Sequence, residues 1–388
     1  MDSETAHHEP PPHRIDRRRL LLSAAAGLGA LAVPAGARWW AVRDNARGPR
    51  IWDAASGGRV VPSADPRGNV HVAGYDGGVR ALDPRTGAVR WATAVGPADA
   101  AAHRGGWPLA EGGGVVCVYS ATGVRALDAA SGEPRWETAV ADAREAPAPP
   151  GVAVAGDSVI VVDGATLRSF DAATGRALWS GPPTVSGTPL VAGDTVYVPG
   201  RSAGLLAFDL RTGEQRWEQG DIDAVLDPPA VHGGLVHVVD TGRSGGTGAR
   251  SAALALEAAT GRVLWKRTQL RGPVGPVAAG GTVCLLSGQQ LLALDAATGD
   301  ERWTAAVPPG AGRGTSSLTA AQGAVYVGTN DDRLFAHDLR TGGLRWQDEP
   351  ERLRAGTEFT WVSLAVAGST VYRGSRTGLR AFTALAPA

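Results

Sequence analysis

Lysine, cysteine and asparagine are nearly missing from this 388-residue chain, and each shortage narrows what it can be. Lys266 is the one lysine among 38 basic residues, which balance 38 acidic residues to a net charge of zero. No block of like charge occurs beyond the N-terminal segment, so no nucleic-acid partner is expected for the main domain. Cys117 and Cys284 have no Cys-x-x-Cys spacing, which excludes a cysteine zinc site and an attached c-type haem. Asparagine stands only at 45, 69 and 330. Also missing are GxSxG, HExxH and the phosphate-binding GxxxxGK[ST]. The apolar stretch from Leu20 to Val33 has 14 residues, short of the roughly 20 that cross a bilayer as a helix. No segment after it carries a helical i, i+3, i+4, i+7 apolar stripe of useful length.

Tryptophan, by contrast, is plentiful, and it is periodic. Seven copies of a nonapeptide end on Trp91, Trp136, Trp179, Trp217, Trp265, Trp303 and Trp346, from Asp83-Pro-Arg-Thr-Gly-Ala-Val-Arg-Trp91 to Asp338-Leu-Arg-Thr-Gly-Gly-Leu-Arg-Trp346. Successive tryptophans lie 45, 43, 38, 48, 38 and 43 residues apart, a period typical of blade-type repeats. Each copy follows a short apolar run such as Leu291 to Leu294. Its Asp and Thr can bond nearby backbone N–H groups, while Gly accepts a positive φ. The pattern is therefore strand, tight turn, strand. Upstream of each copy lies another hairpin, as in Val154 to Val162, Leu190 to Val198 and Val277 to Leu285. One unit holds four antiparallel strands, A to D, and the expected fold is an all-β propeller.

The ends set the blade number. Val362 to Arg373 and Gly378 to Phe382 supply strands A, B and C of a last unit that has no nonapeptide. Pro49-Arg-Ile-Trp52 reads as a strand D with no strands before it, and Trp52 precedes Trp91 by 39 residues, one period. The N-terminal strand is thus expected to complete the C-terminal blade and close a ring of eight. Cys117 and Cys284 then occupy equivalent strand B positions in blades two and six, on opposite sides of the ring. That is farther than the roughly 7 Å a disulfide tolerates, so both read as small buried hydrophobes.

Residues 1–37 have the layout of an export signal. Arg14-Ile-Asp-Arg-Arg-Arg19 resembles a twin-arginine type, followed by the apolar stretch and a small-x-small site at Ala35-Gly-Ala37. The alternative is an uncleaved membrane anchor, with Trp39 and Trp40 at the interface. Without a nearby cysteine a lipoprotein is disfavoured. Residues 38–48 read as a linker and 49–388 as the propeller. The protein is expected to be exported, secreted or held at the cell envelope, to meet a membrane only through the N-terminal segment, and to remain monomeric.

The A-x-D-x-x-T-G-x-x-x-W repeats, such as Ala293 to Trp303, resemble the tryptophan-docking motifs of the pyrroloquinoline quinone (PQQ) propeller superfamily over residues 49 to 385. One branch contains quinoprotein dehydrogenases, which hold PQQ and calcium. Another contains non-enzymatic propellers similar to the BamB-type assembly factor. The dehydrogenase branch implies a vicinal cysteine disulfide and a Glu, Asn and Asp set around calcium. This sequence has no adjacent cysteines and no Asn-Asp cluster to match residue by residue. Asn330-Asp331-Asp332 reads as a B–C hairpin turn. The motif residues recur in every unit, so they read as structural staples, and no cofactor is expected. The leading expectation is a non-catalytic, exported scaffold that binds a protein or envelope ligand. A PQQ-dependent oxidoreductase and a small-ligand sensor are the alternatives.

Binding is expected on one face. A–B and C–D turns are uniformly tight and share a face; the longer B–C and D–A connections, 92–106, 141–150, 240–251, 307–316 and 347–360, share the other. Aromatic and arginine side chains dominate binding hot spots. Arg104, Trp107, Arg243, Arg250, Arg313, Glu358, Phe359 and Trp361 are therefore the candidate contact residues, with Trp107 and Trp361 alternatively plugging the central channel.

Overall fold

The Asp-x-x-Thr-Gly turns fold each repeat into a four-stranded antiparallel sheet, and eight such sheets make up the computed structural model. It describes residues 49–384 apart from 56–59, 65–69, 75, 97–108, 120–122, 140–150, 201–203, 243–250, 308–316, 350–361 and 376–377. Contacts divide the chain into Met1–Ala46 and Arg47–Ala388, and every described residue belongs to the second unit. Blades 1 to 7 span 60–94, 109–138, 151–180, 190–219, 230–267, 274–306 and 317–348. Blade 8 takes strands A to C from Ser363–Ala367, Thr370–Ser375 and Gly378–Thr383, and strand D from Arg50–Ala55. No helix occurs among the described residues. Strand A of blade 1 touches strand A of both blade 2 and blade 8, so the sheets close into a ring.

Strand B is the buried centre of each blade, and the burial runs unbroken in Val70–Gly74, Val115–Tyr119 and Thr195–Pro199. Continuous burial means that both faces of the sheet are covered by neighbouring blades, which is why these strands are apolar throughout rather than alternating. Cys117 and Cys284 are free thiols in two such strands, within separate core clusters. Burial pushes the Cys284 thiol up to about 12, and Cys117 also rises.

Tryptophan joins the blades. The Nε1–H of Trp52, Trp91, Trp136, Trp179, Trp217, Trp265 and Trp303 donates to the carbonyl of Pro84, Ala129, Ala172, Leu210, Ala258, Ala296 and Leu339, at 2.9 to 3.2 Å. Each acceptor follows the motif Asp (Glu257 in blade 5) of the next blade. Removing roughly 150 Å² of indole from water, at about 25 cal/mol per Å², contributes about 4 kcal/mol per fully buried ring. The motif glycine lies directly on the ring. A Cβ built on Gly213 would stand 2.5 Å from Trp179 Cδ2, and Gly213 has φ +74°. Glycine is thus required at this position twice over, by backbone conformation and by close approach.

The turn is self-satisfied. Asp83 Oδ1 accepts the backbone N–H of Arg85 and Thr86, and Asp209, Asp295 and Asp338 repeat the pattern. Between strands C and D a bulge leaves the residue before each tryptophan unpaired in the register. That extra residue is turned toward the motif Asp. Arg90, Arg216 and Arg302 reach Asp83, Asp209 and Asp295 at 2.7 to 2.8 Å. Where it is apolar it has no such partner and stays exposed: Ile51 is 42%, Leu178 39% and Leu264 39% accessible.

Candidate functional site: the face of the long connections

Strands B and D end on the face from which the long connections leave, and the strand ends there are fixed by buried polar groups. Asp240, at the end of strand B in blade 5, accepts N–H bonds from Ala224 (3.1 Å) and Gly242 (3.0 Å). The Ser251 hydroxyl donates to the Thr241 carbonyl at 3.2 Å. The connection 243–250 is therefore rooted in two ordered ends. Strand pairing carries Ala92–Ala94, Asp240 and Gln347–Asp348 within strands, so the irregular segments are shorter than the sequence suggested. In blade 7, Thr329 N–H donates to Arg333 O and Asp332 N–H to Thr329 O, both at 3.0 Å, so Asn330 to Asp332 do form the B–C turn.

A charge cluster lies at the junction of blades 7 and 8. Asp348 Oδ1 accepts Arg50 Nη2 at 2.7 Å, and Oδ2 lies 3.3 Å from Arg373 Nη1 and 3.4 Å from Arg380 Nη1. Arg373 also donates to the Asp332 carbonyl at 2.7 Å and lies over the Phe382 ring. It is 1% accessible, and burial lowers its affinity for its proton, partly offset by Asp332. Three arginines from three strands of blade 8 thus meet one aspartate of blade 7. The signal was in the sequence: seven sibling strands carry Val or Leu where Arg373 stands. Asp227, on the connection between blades 4 and 5, has its carboxyl pushed above the usual range by burial, opposed by a 3.1 Å bond from Gly275 N–H.

His71 and His237 serve blade junctions. His71 Nδ1 pairs with the Glu111 carboxylate and Nε2 contacts the Ala129 carbonyl at 3.1 Å, linking blades 1 and 2. His237 Nε2 faces the Ala296 carbonyl at 3.0 Å. Burial holds His237 and His337 below their ordinary pKa.

Among the described residues, no group of three or more His, Cys, Asp or Glu side chains could hold a metal ion. Asp163 is paired with Arg168 at 3.2 Å, Asp240 with backbone, and Asp348 with arginines. Each of these three carboxylates is committed to a partner within the fold. Arg104, Trp107, Arg243, Arg250, Arg313, Glu358, Phe359 and Trp361 all lie outside the described residues.

Eight closed four-stranded sheets stapled by tryptophan define a β-propeller scaffold. A family model described as outer membrane protein assembly factor BamB matches residues 25–267 and 249–385. The chain belongs to this PQQ-like propeller family. It is 29% identical to the serine/threonine-protein kinase AfsK of Streptomyces griseus, over 48% of this chain and 27% of the kinase. It is 28% identical to BamB of Burkholderia pseudomallei, over 49% of each. The alignments thus span half or less of these curated relatives. Among solved structures, BamB from Moraxella catarrhalis superposes with a TM-score of 0.64 at 17% identity, over 86% of this chain and 98% of that one. Quinohemoprotein alcohol dehydrogenase from Comamonas testosteroni gives 0.59 at 16%, over 88% and 76%. At these identities both structures report fold alone.

Proposed function

We propose that this protein is a non-catalytic, exported scaffold that binds a protein partner through the face of the long connections. The observation that carries the reading is the use made of the repeated polar residues. Motif Asp, Thr, Gly and Trp close turns and dock blades, which leaves recognition to the segments between the blades. Membership of a family described by an assembly factor supports a protein as the ligand. Strand Arg50–Ala55 begins beside Phe382, at the tight-turn end of strand C. A tether through the preceding residues would therefore hold the opposite face away from its attachment point. The scaffold acts as a monomer and needs no cofactor.

Affinity capture tests this with the purified chain and an alanine variant at Arg104, Trp107, Arg243, Arg250, Arg313, Glu358, Phe359 and Trp361. The same partner should be retained by the wild-type chain and lost by the variant. Equal capture by both would remove the reading.

The kinase relative supports a second reading, a sensor domain that holds a small ligand. A ligand that binds only the folded state raises Tm, so thermal-shift screening separates the two. A quinoprotein oxidoreductase, prompted by the dehydrogenase fold neighbour, is tested by calorimetric titration with PQQ in calcium buffer.

A further inference from the structure

Blade 8 is closed by a strand that no turn joins to it. In the other seven blades strands C and D are consecutive in the chain, so the tight turn between them fixes their register. In blade 8, Gly378–Thr383 pairs with Arg50–Ala55 from the opposite end of the sequence, with Trp52 opposite Ala381, Asp53 opposite Arg380 and Ala55 opposite Gly378. Trp52 ties this strand to blade 1 through Pro84 O. Its tie to strand C and to blade 7 lies in one row of charged side chains.

The row takes one residue from each of strands B, C and D. In blades 4 to 6 it begins with apolar pairs, Val198–Leu206, Val238–Leu254 and Leu285–Leu292, all buried. Blades 1 to 3 place an arginine on strand C, but opposite Val72, Val118 and Val161. In blade 8 the row is Arg373, Arg380 and Asp53. Arg373 and Arg380 stand directly opposite each other, and like charges so placed repel. Arg373 is 1% accessible, so salt screens that repulsion little.

Two carboxylates from different places offset it. Asp348 of blade 7 lies 3.3 Å from Arg373 Nη1 and 3.4 Å from Arg380 Nη1, and its other oxygen accepts Arg50 Nη2 at 2.7 Å. Asp53 of the closing strand lies 3.6 Å from Arg380 Nε and 3.2 Å from Arg50 Nη1. The arginine pair is therefore fully compensated only when blade 7 and the N-terminal strand are both in place.

We infer that this row is an electrostatic lock that couples the two contacts closing the ring, the docking of blade 8 on blade 7 and the pairing of the N-terminal strand with strand C. An apolar row would favour each contact separately, because burial is non-directional. The charged row makes each depend on the other, since Arg50 meets Asp348 only when both are made. It also fixes register. A slip of two residues, about 7 Å, keeps the same side chains inward but carries Asp53 away from Arg380 and Arg50 away from Asp348. A released strand would leave Gly378–Thr383 as an open edge, a template for pairing with other chains. The lock holds the ring closed on its own strand.

Hydrogen exchange on the full-length chain tests this at the level of single strands. Asp348→Asn keeps the side-chain shape and removes its charge. It should speed exchange about tenfold or more in both Arg50–Ala55 and Gly378–Thr383, leaving the C–D pair of blade 4, Leu205–Asp209 with Gln215–Gln219, as the unaffected reference. Adding Arg373→Val and Arg380→Leu restores the residue types of blades 4 to 6 and removes the charges that need Asp348, so exchange in the closing strands should return toward wild type. If Asp348→Asn does not fold, Asp53→Asn with Arg380→Leu as its rescue provides the second break. No acceleration, an equal acceleration in the reference pair, or no recovery on removing the arginines would overturn the inference.

Discussion

Replacing Gly213 by alanine isolates the central packing device of the ring. Two terms apply. Alanine at φ +74° costs about 1 kcal/mol relative to glycine. Its Cβ would stand 2.5 Å from Trp179 Cδ2 and Cε3, so the indole must move and loosen its 3.0 Å bond to Leu210 O. Losing that bond and its packing adds about 2 kcal/mol. At about 2 °C per kcal/mol for a large domain, Tm falls by about 6 °C. Gly193 provides the control. It sits in an A–B turn at φ +61° with nothing within 4 Å of a new Cβ, so Gly193→Ala carries only the backbone term and lowers Tm by about 2 °C. Scanning calorimetry on both variants reads the difference. Equal losses would refute the argument that the motif glycine is fixed by the tryptophan as well as by its φ.

Acid should loosen the turns. Arg90 beside Asp83, Arg135 beside Asp128 and Arg302 beside Asp295 hold these carboxyls at about 2, below an ordinary value of 3.8. The folded-state pKa is depressed, so this stabilisation is present above about pH 4 and is lost as pH falls toward 2; urea midpoints against pH should show the decline there, smaller in Asp295→Asn. At the closing junction, Asp348→Ala leaves Arg373 buried with less compensation and should cost about 3 kcal/mol in denaturant unfolding. Arg373→Val, which restores the residue type of the sibling strands, should cost less than Asp348→Ala. Trp346→Phe removes an unpaired donor and should be milder than Trp217→Phe, which breaks a 2.9 Å bond to Ala258 O.

Much of the fold was legible because its determinants are local and repeated. Asp, Thr and Gly at fixed offsets specify the turn, and Trp at a fixed distance specifies the neighbour. The same device reveals blade 8 through Pro49 to Trp52. The Asp348 cluster was hidden: Arg50, Arg373 and Arg380 are far from Asp348 in sequence or on other strands, and only ring closure brings them together. His71 and His237 could be assigned to strand B, but not to the carbonyls of the next blade that they face. The binding face is the least legible part. Recognition loops obey no repeat, so their residue types suggest contact without specifying a ligand.

The most direct measurement is hydrogen exchange on the propeller with and without its captured partner. The account predicts slowed exchange in 97–108, 243–250, 308–316 and 350–361, with the Asp-x-x-Thr-Gly turns unchanged. Protection confined to those turns, or to the outer strand edges around Leu178 and Leu264, would contradict it.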